Sequence, residues 1–305
     1  MGLLAQTLDL TKTIMPQSSA FFRDGEATDI EYIRTRSDAN RYHARELIES
    51  LWPIYQIYAD PHFLEEARHN FRQRFWEMYL TCALLQHKFE LHRIGCSGPE
   101  YYFICNDRRV WVEAIAPGPG EGPDRLYETP DNVAGTVSEP KIILRYTHAL
   151  REKQRQWKAS LAAGRVQAND RLLLAINCSG IPDARFGAEM PFVFKAYFPI
   201  GSLIYEVGST SSKIKSSYHS RREEIIKERG SPVATTSFQN PEFSLFCAVL
   251  HSGVDHLGFT RQIGADFLVL HNSLSIPSLP SDLFNWADQY YLNGDELCNV
   301  APSAV

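Results

Sequence analysis

Residues 98–117 read GPEYYFICNDRRVWVEAIAP. Two short runs rich in β-branched and aromatic residues, YYFIC (101–105) and RRVWVEAIA (108–116), flank the polar tetrapeptide NDRR (106–109). That pattern predicts two antiparallel strands joined by a tight turn. FELHRIG (89–95) predicts a third strand just before them. Glu113 stands near the end of the last run, with Trp111 and Ile115 on its side of the pleat. Glu100 follows Pro99 at the start of the first run. A hairpin closed at NDRR brings the two carboxylates side by side, where their repulsion calls for a cation. Two carboxylates suit Mg²⁺, which binds oxygen and otherwise keeps its waters.

Outward from this hairpin the texture is helical on both sides. Residues 29–58 predict a helix interrupted at Pro53, and 61–89 a second, with Pro61 in its first turn. After a Pro/Gly/acid-rich loop over 117–139, residues 141–164 predict a third helix that stops at Gly164. DRLLLAINCSG (170–180) is apolar enough for a strand buried on both faces. In the second half, PFVFKAYFPIGSLIYEVG (191–208) predicts one or two strands around Pro199. SSYHSRREEIIKERG (216–230) predicts a short helix, and FSLFCAVLHS and DFLVLHNS predict two further strands. The tail beyond about Tyr291 reads as loose. Helices packed on a mixed central β-sheet, an α/β class, account for the order. The expected organisation is a helical N-terminal arm over 1–60, an α/β core over 61–292 and a tail over 293–305.

Two more charged residues fall among apolar neighbours. From Trp76 onward the second helix is apolar nearly all round, so it is expected to be buried. Glu77 lies inside that zone and needs a partner, either a structural cation such as Lys153 or an arginine, or a metal. The third helix carries an apolar stripe through Ile142, Tyr146, Ala149 and Trp157, and Lys153 sits on it. A lysine there either snorkels to water or meets a carboxylate. For Glu113 the structural alternative is an ion pair with Arg108 or Arg109.

The order of a helix glutamate, Pro99-Glu100, the hairpin, Glu113-Ala114-Ile115, a helix and a buried strand resembles the PD-(D/E)XK nuclease superfamily, over residues 61 to about 180. The resemblance implies a restriction-endonuclease-like fold. It also implies cleavage of phosphodiester bonds in nucleic acid, DNA more than RNA, with Mg²⁺ or Mn²⁺ held by Glu100, Glu113 and the Ala114 carbonyl. Glu77 would match the acidic residue on the first core helix. Two positions depart from the motif: Glu100 replaces the usual aspartate, and Ile115 stands where the motif lysine belongs. Some members supply that lysine from a neighbouring helix, and Lys153 is the candidate here. Without it, the fold would serve as a binding or regulatory module. Members that cut duplexes often pair up, so a homodimer is a further expectation.

Composition narrows the rest. The chain has 305 residues, 44% hydrophobic and 22% charged, with a net charge of −5, which excludes a uniformly basic nucleic-acid coat. A local basic stretch remains: Lys213, Lys215, Arg221 and Arg222 with Tyr218 among them could track a phosphate backbone and stack a base. Glu223 and Glu224 in the same stretch also fit a plain solvated element. His271 and Asn272 end an apolar run, either as a satisfied structural pair or as the site of a hydrolase on an unrelated α/β fold. Six cysteines without a C-x-x-C, ten histidines without H-E-x-x-H and a GPGEGP loop without lysine predict no zinc site and no phosphate-cradling loop. With no membrane-length apolar run and no secretory signal, a soluble cytoplasmic protein is expected.

Overall fold

The computed structural model describes residues 20–93, 101–130, 133, 135–186, 190–208, 213–258, 262–294 and 296–300. The hairpin expected on either side of the NDRR turn is present. β1 (Tyr101–Cys105) and β2 (Arg108–Ile115) pair antiparallel, Tyr101 opposite Val112 and Cys105 opposite Arg108. Asn106 and Asp107 turn between them at φ 51° and 56°. Two positive φ angles are what the favoured two-residue hairpin turn needs, and Asn and Asp tolerate them best after glycine.

α5 (Glu139–Ala162) then crosses over to β3 (Arg171–Asn177), which lies parallel to β2, with Glu113 opposite Leu174. β8 (Phe246–Ser252) continues the parallel set beside β3. β9 (Leu268–His271), β10 (Asp288–Asn293) and β11 (Glu296–Asn299) complete the sheet. Among the described residues it is a seven-stranded mixed sheet, order β1-β2-β3-β8-β9-β10-β11. The fold is therefore mixed α/β.

The sheet separates two apolar layers. On one side lie α1 (Ile30–Ser37), α2 (Tyr42–Tyr55), α3 (Phe63–Ala67) and α4 (Phe71–Gln86). Their side chains share a cluster with Val110, Val112 and Ala114 of β2. α5 and α6 (Phe192–Tyr197) cover the other side, with Trp111, Leu172 and Leu174. α4 is buried on nearly every face, as its composition requires, and Trp76 donates its indole N–H to the Ala175 carbonyl at 3.0 Å.

Several local expectations are corrected. The helix expected over 29–58 breaks at Asp38, whose carboxylate accepts from the Asn40 amide and starts a new turn, while Pro53 sits inside α2. The helix expected over 61–89 breaks at Asn70, where the Asp29 carboxylate takes the Phe71 amide. FELHRIG contributes only an isolated bridge, His92 to Tyr102, before the described residues end at 93. Residues 192–197 form α6 instead of a strand, because a short run buried on every side fits either element.

The helix expected over 216–230 is replaced by strands. β4 (Ile200–Val207) pairs antiparallel with β5 (Ile214–Arg221), and β6 (Glu224–Ile226) with β7 (Pro232–Ala234). Pairing with β4 overrides local preference there. The tail, expected to be loose beyond about Tyr291, carries β11 among its described residues: Asn293 stands opposite Glu296, and Gly294 follows β10 at φ 61°. Among the described residues, no helix is long and apolar enough to cross a membrane.

Candidate functional site

Alternation along β2 sends Val112 and Ala114 to the α4 layer and Trp111, Glu113 and Ile115 to the α5 layer. α5 buries Ile142, Tyr146, Ala149 and Trp157. Lys153 lies one turn from both Ala149 and Trp157, so the same stripe carries it over β2. Its Nζ donates to Glu113 Oε2 at 2.6 Å, with the two side chains 16% and 14% exposed. The pair stands in a cavity of about 280 Å³ whose wall includes Gln156, Trp157, Ser160 and Arg165.

The arginines expected as alternative partners of Glu113 go elsewhere. Arg109 makes a two-point contact with Asp170 at 2.9 and 3.0 Å, and Arg108 donates to the Ile276 carbonyl. Asp170 also accepts the Trp111 indole N–H and the Gln167 amide. Nothing in the sequence paired Asp170 with Arg109. Register places them together, because Val110 faces Arg171. Arg165, at the cavity wall, was equally hidden, since it follows the helix end at Gly164.

Glu77 does not join this site. It is 5% exposed on α4, on the opposite face of the sheet from Glu113 and Lys153. Arg74 donates to one of its oxygens at 2.6 Å and Gln73 to the other at 2.9 Å. Burial raises its carboxyl pKa more than Arg74 and Gln73 lower it. Of the structural cations expected for Glu77, the one present is an arginine, Arg74, three residues away on the same helix.

Gln73 also donates to the Ala114 carbonyl at 3.0 Å and accepts from the Ala116 amide at 2.7 Å. The Ala114 carbonyl expected at a metal is therefore engaged from the α4 side. Gln73→Leu leaves the Ala116 amide and a Glu77 oxygen without partners. The expected loss, read by urea denaturation, is about 1–3 kcal/mol.

Glu100 lies outside the described residues. Among the described residues, no group of three or more His, Cys, Asp or Glu side chains is placed to hold a metal ion.

Of the basic stretch, Lys213, Lys215 and Tyr218 are exposed on the β4–β5 ribbon, which lies outside the main sheet. Arg221 pairs with Glu223 at 2.8 Å. Arg222 is structural: with Lys195 it holds Glu139 at 2.5 and 2.7 Å, tying the start of α5 to β5 and α6. Burial alone would raise the Glu139 pKa, but hydrogen bonds from Lys195 and Arg222 hold it below the ordinary 4.5. A carboxyl depressed in the folded state stabilises fully above its unfolded pKa, and that stability is lost as pH falls through the folded value. Glu139→Gln should lower Tm at pH 7, and the gap from wild type should close as pH falls below about 4.5.

His271 and Asn272 are a satisfied structural pair. His271 Nε2 meets Gln289 Oε1 at 2.9 Å, and the Asn272 amide donates to the Phe243 and Phe246 carbonyls at 3.0 Å each. Compared with known protein families, curated proteins and solved structures, the chain matches none.

Proposed function

We propose that the protein is a metal-dependent nuclease of PD-(D/E)XK type that hydrolyses phosphodiester bonds of nucleic acid, with DNA as the favoured substrate. One observation carries the reading. A lysine from the crossover helix reaches the strand carboxylate at 2.6 Å, at the wall of a cavity, although Ile115 occupies the motif-lysine position. Lys153 then takes the role of the missing lysine. The fold order α4–β1–β2–α5–β3, with β3 parallel to β2, is compatible with a restriction-endonuclease-like core.

Mg²⁺ or Mn²⁺ suits this setting in a limited sense. Mg²⁺ is commonly held by one or two carboxylates plus waters and substrate phosphates, and Glu113 offers one carboxylate, with Glu100 as the proposed second. When bound, the metal polarises the scissile phosphate and lowers the pKa of a bound water. Lys153 holds the Glu113 carboxylate in one orientation and places a positive charge where negative charge develops on phosphate. Lys213, Lys215 and Tyr218, on an exposed ribbon, are proposed to contact the backbone and a base.

A second reading is a binding module on the same fold without activity, favoured by Ile115 and by a Glu113 carboxylate already occupied by Lys153. The deciding experiment offers single-stranded DNA, duplex DNA and RNA with Mg²⁺ or Mn²⁺ to wild type and Glu113→Ala. Divalent-dependent cutting that the variant lacks is the expected result. Binding without cutting on every substrate would sink the nuclease reading and leave the module.

A further inference from the structure

A second cavity, about 640 Å³, opens outside the carboxyl ends of the parallel strands β2, β3 and β8. In open α/β sheets that is where ligands bind, and the volume is ordinary for a small-molecule site. It is built from Ala116 and Gly118 after β2, Ser179 after β3, His256 after β8, and the starts of α1 and α4. It therefore lies on the α4 side of the sheet, away from Lys153.

Most of its acids are already matched. Glu31 accepts from Arg41 at 2.5 Å and pairs with Arg34 at 3.3 Å. Asp255 pairs with Arg185 at 2.6 Å and accepts two backbone amides. Asp29 accepts from the amides of Glu31, Tyr32 and Phe71. Glu128 is the remaining acid, exposed to water, where screening weakens it.

Two groups are left over. The Arg72 guanidinium lies against the Ser179–Gly180 corner: a Cβ added at Gly180 would sit 3.0 Å from its Nη1. Arg72 has no side-chain hydrogen-bond partner among the described residues. The Ser179 hydroxyl oxygen is shielded from solvent and has no hydrogen-bond partner among the described residues. Beside them, Arg41 Nη1 lies 3.3 Å from His256 Nε2. The same Nε2 lies 3.3 Å from Glu31 Oε2, so the ring faces both a donor and a carboxylate. Burial lowers the His256 pKa, against the raising effect of Asp255 and Glu31.

We propose that this cavity binds a phosphate monoester, with its oxygens taken by the Arg72 guanidinium and the Ser179 hydroxyl. Arginine matches phosphate oxygens at two points. The site is independent of the nuclease reading, because it shares no residue with Glu113 and Lys153.

The test is calorimetric titration of the full chain with inorganic phosphate, phenyl phosphate and adenosine monophosphate. Saturable binding of at least one probe is expected, weakened tenfold or more by Arg72→Ala, less by Ser179→Ala and not at all by Glu113→Ala. Equal affinities for phenyl phosphate and the nucleotide would mark a site that reads phosphate alone; tighter nucleotide binding would mark a nucleotide as the source. Arg72 is exposed, so its variant should fold, which circular dichroism checks. In parallel, the His256 ring resonances followed through a pH titration should show a higher pKa with probe bound, because a dianion favours the imidazolium. No binding of any probe, or affinity unchanged in Arg72→Ala, would overturn the proposal.

Discussion

Under the proposed nuclease reading, Lys153→Met is expected to reduce divalent-dependent cleavage by about 10²–10³-fold, the usual cost of removing one preorganised group that stabilises developing charge. The substitution keeps roughly the length and apolar stem of the side chain, which limits the change in packing. It also strips a partner from Glu113, which is only 14% exposed, so stability must be read beside activity. The double variant Glu113→Gln with Lys153→Met restores electrical balance and should recover Tm without recovering cleavage. Lys153→Arg keeps the charge but not the point geometry, and should retain part of the rate. Cleavage by Lys153→Met at the wild-type rate would show that the lysine is only a structural partner of Glu113.

Asp170→Ala should destabilise the fold more than Gln73→Leu or Glu139→Gln. Asp170 is 3% exposed and receives Arg109 at two points, the Trp111 indole and the Gln167 amide. Removing it leaves a largely covered guanidinium without its counter-charge and two further donors unpaired. The expected loss is about 3–5 kcal/mol, read as a fall in the urea midpoint. Asp170→Asn keeps the shape and one acceptor oxygen and should cost less. A loss below about 1 kcal/mol for Asp170→Ala would mean that the cluster relaxes into water.

The hairpin at the centre of the molecule was legible because its signals are local. Alternating apolar residues on either side of the polar NDRR segment signal the hairpin without help from distant parts of the chain, and the structure narrows the turn to Asn106-Asp107. The stripe on α5 was legible for the same reason: helical period alone places Lys153 with Ala149 and Trp157. Its target was legible only as a type of group, a carboxylate. That the carboxylate is Glu113 and not Glu77 depends on which face of β2 each helix covers, and the crossover of α5 decides that.

The second half shows the limit most clearly. Residues 216–221 carry a sequence compatible with a helix, yet they are strand because β4 supplies a pairing edge. Arg222 reads as a nucleic-acid contact, yet it is claimed by Glu139, 83 residues away in sequence. The stretch after Tyr291 reads as loose, yet residues 296–299 are strand because β10 supplies a pairing edge. What the sequence determined by itself was therefore period and turn chemistry: the hairpin, the apolar α4, the stripe of α5 and the buried β3. The tertiary structure alone decided partners, because an ion pair forms between whichever charges the packed layers bring within about 3 Å of each other. It brought Lys153 to Glu113, Arg74 to Glu77, and Arg109 to Asp170.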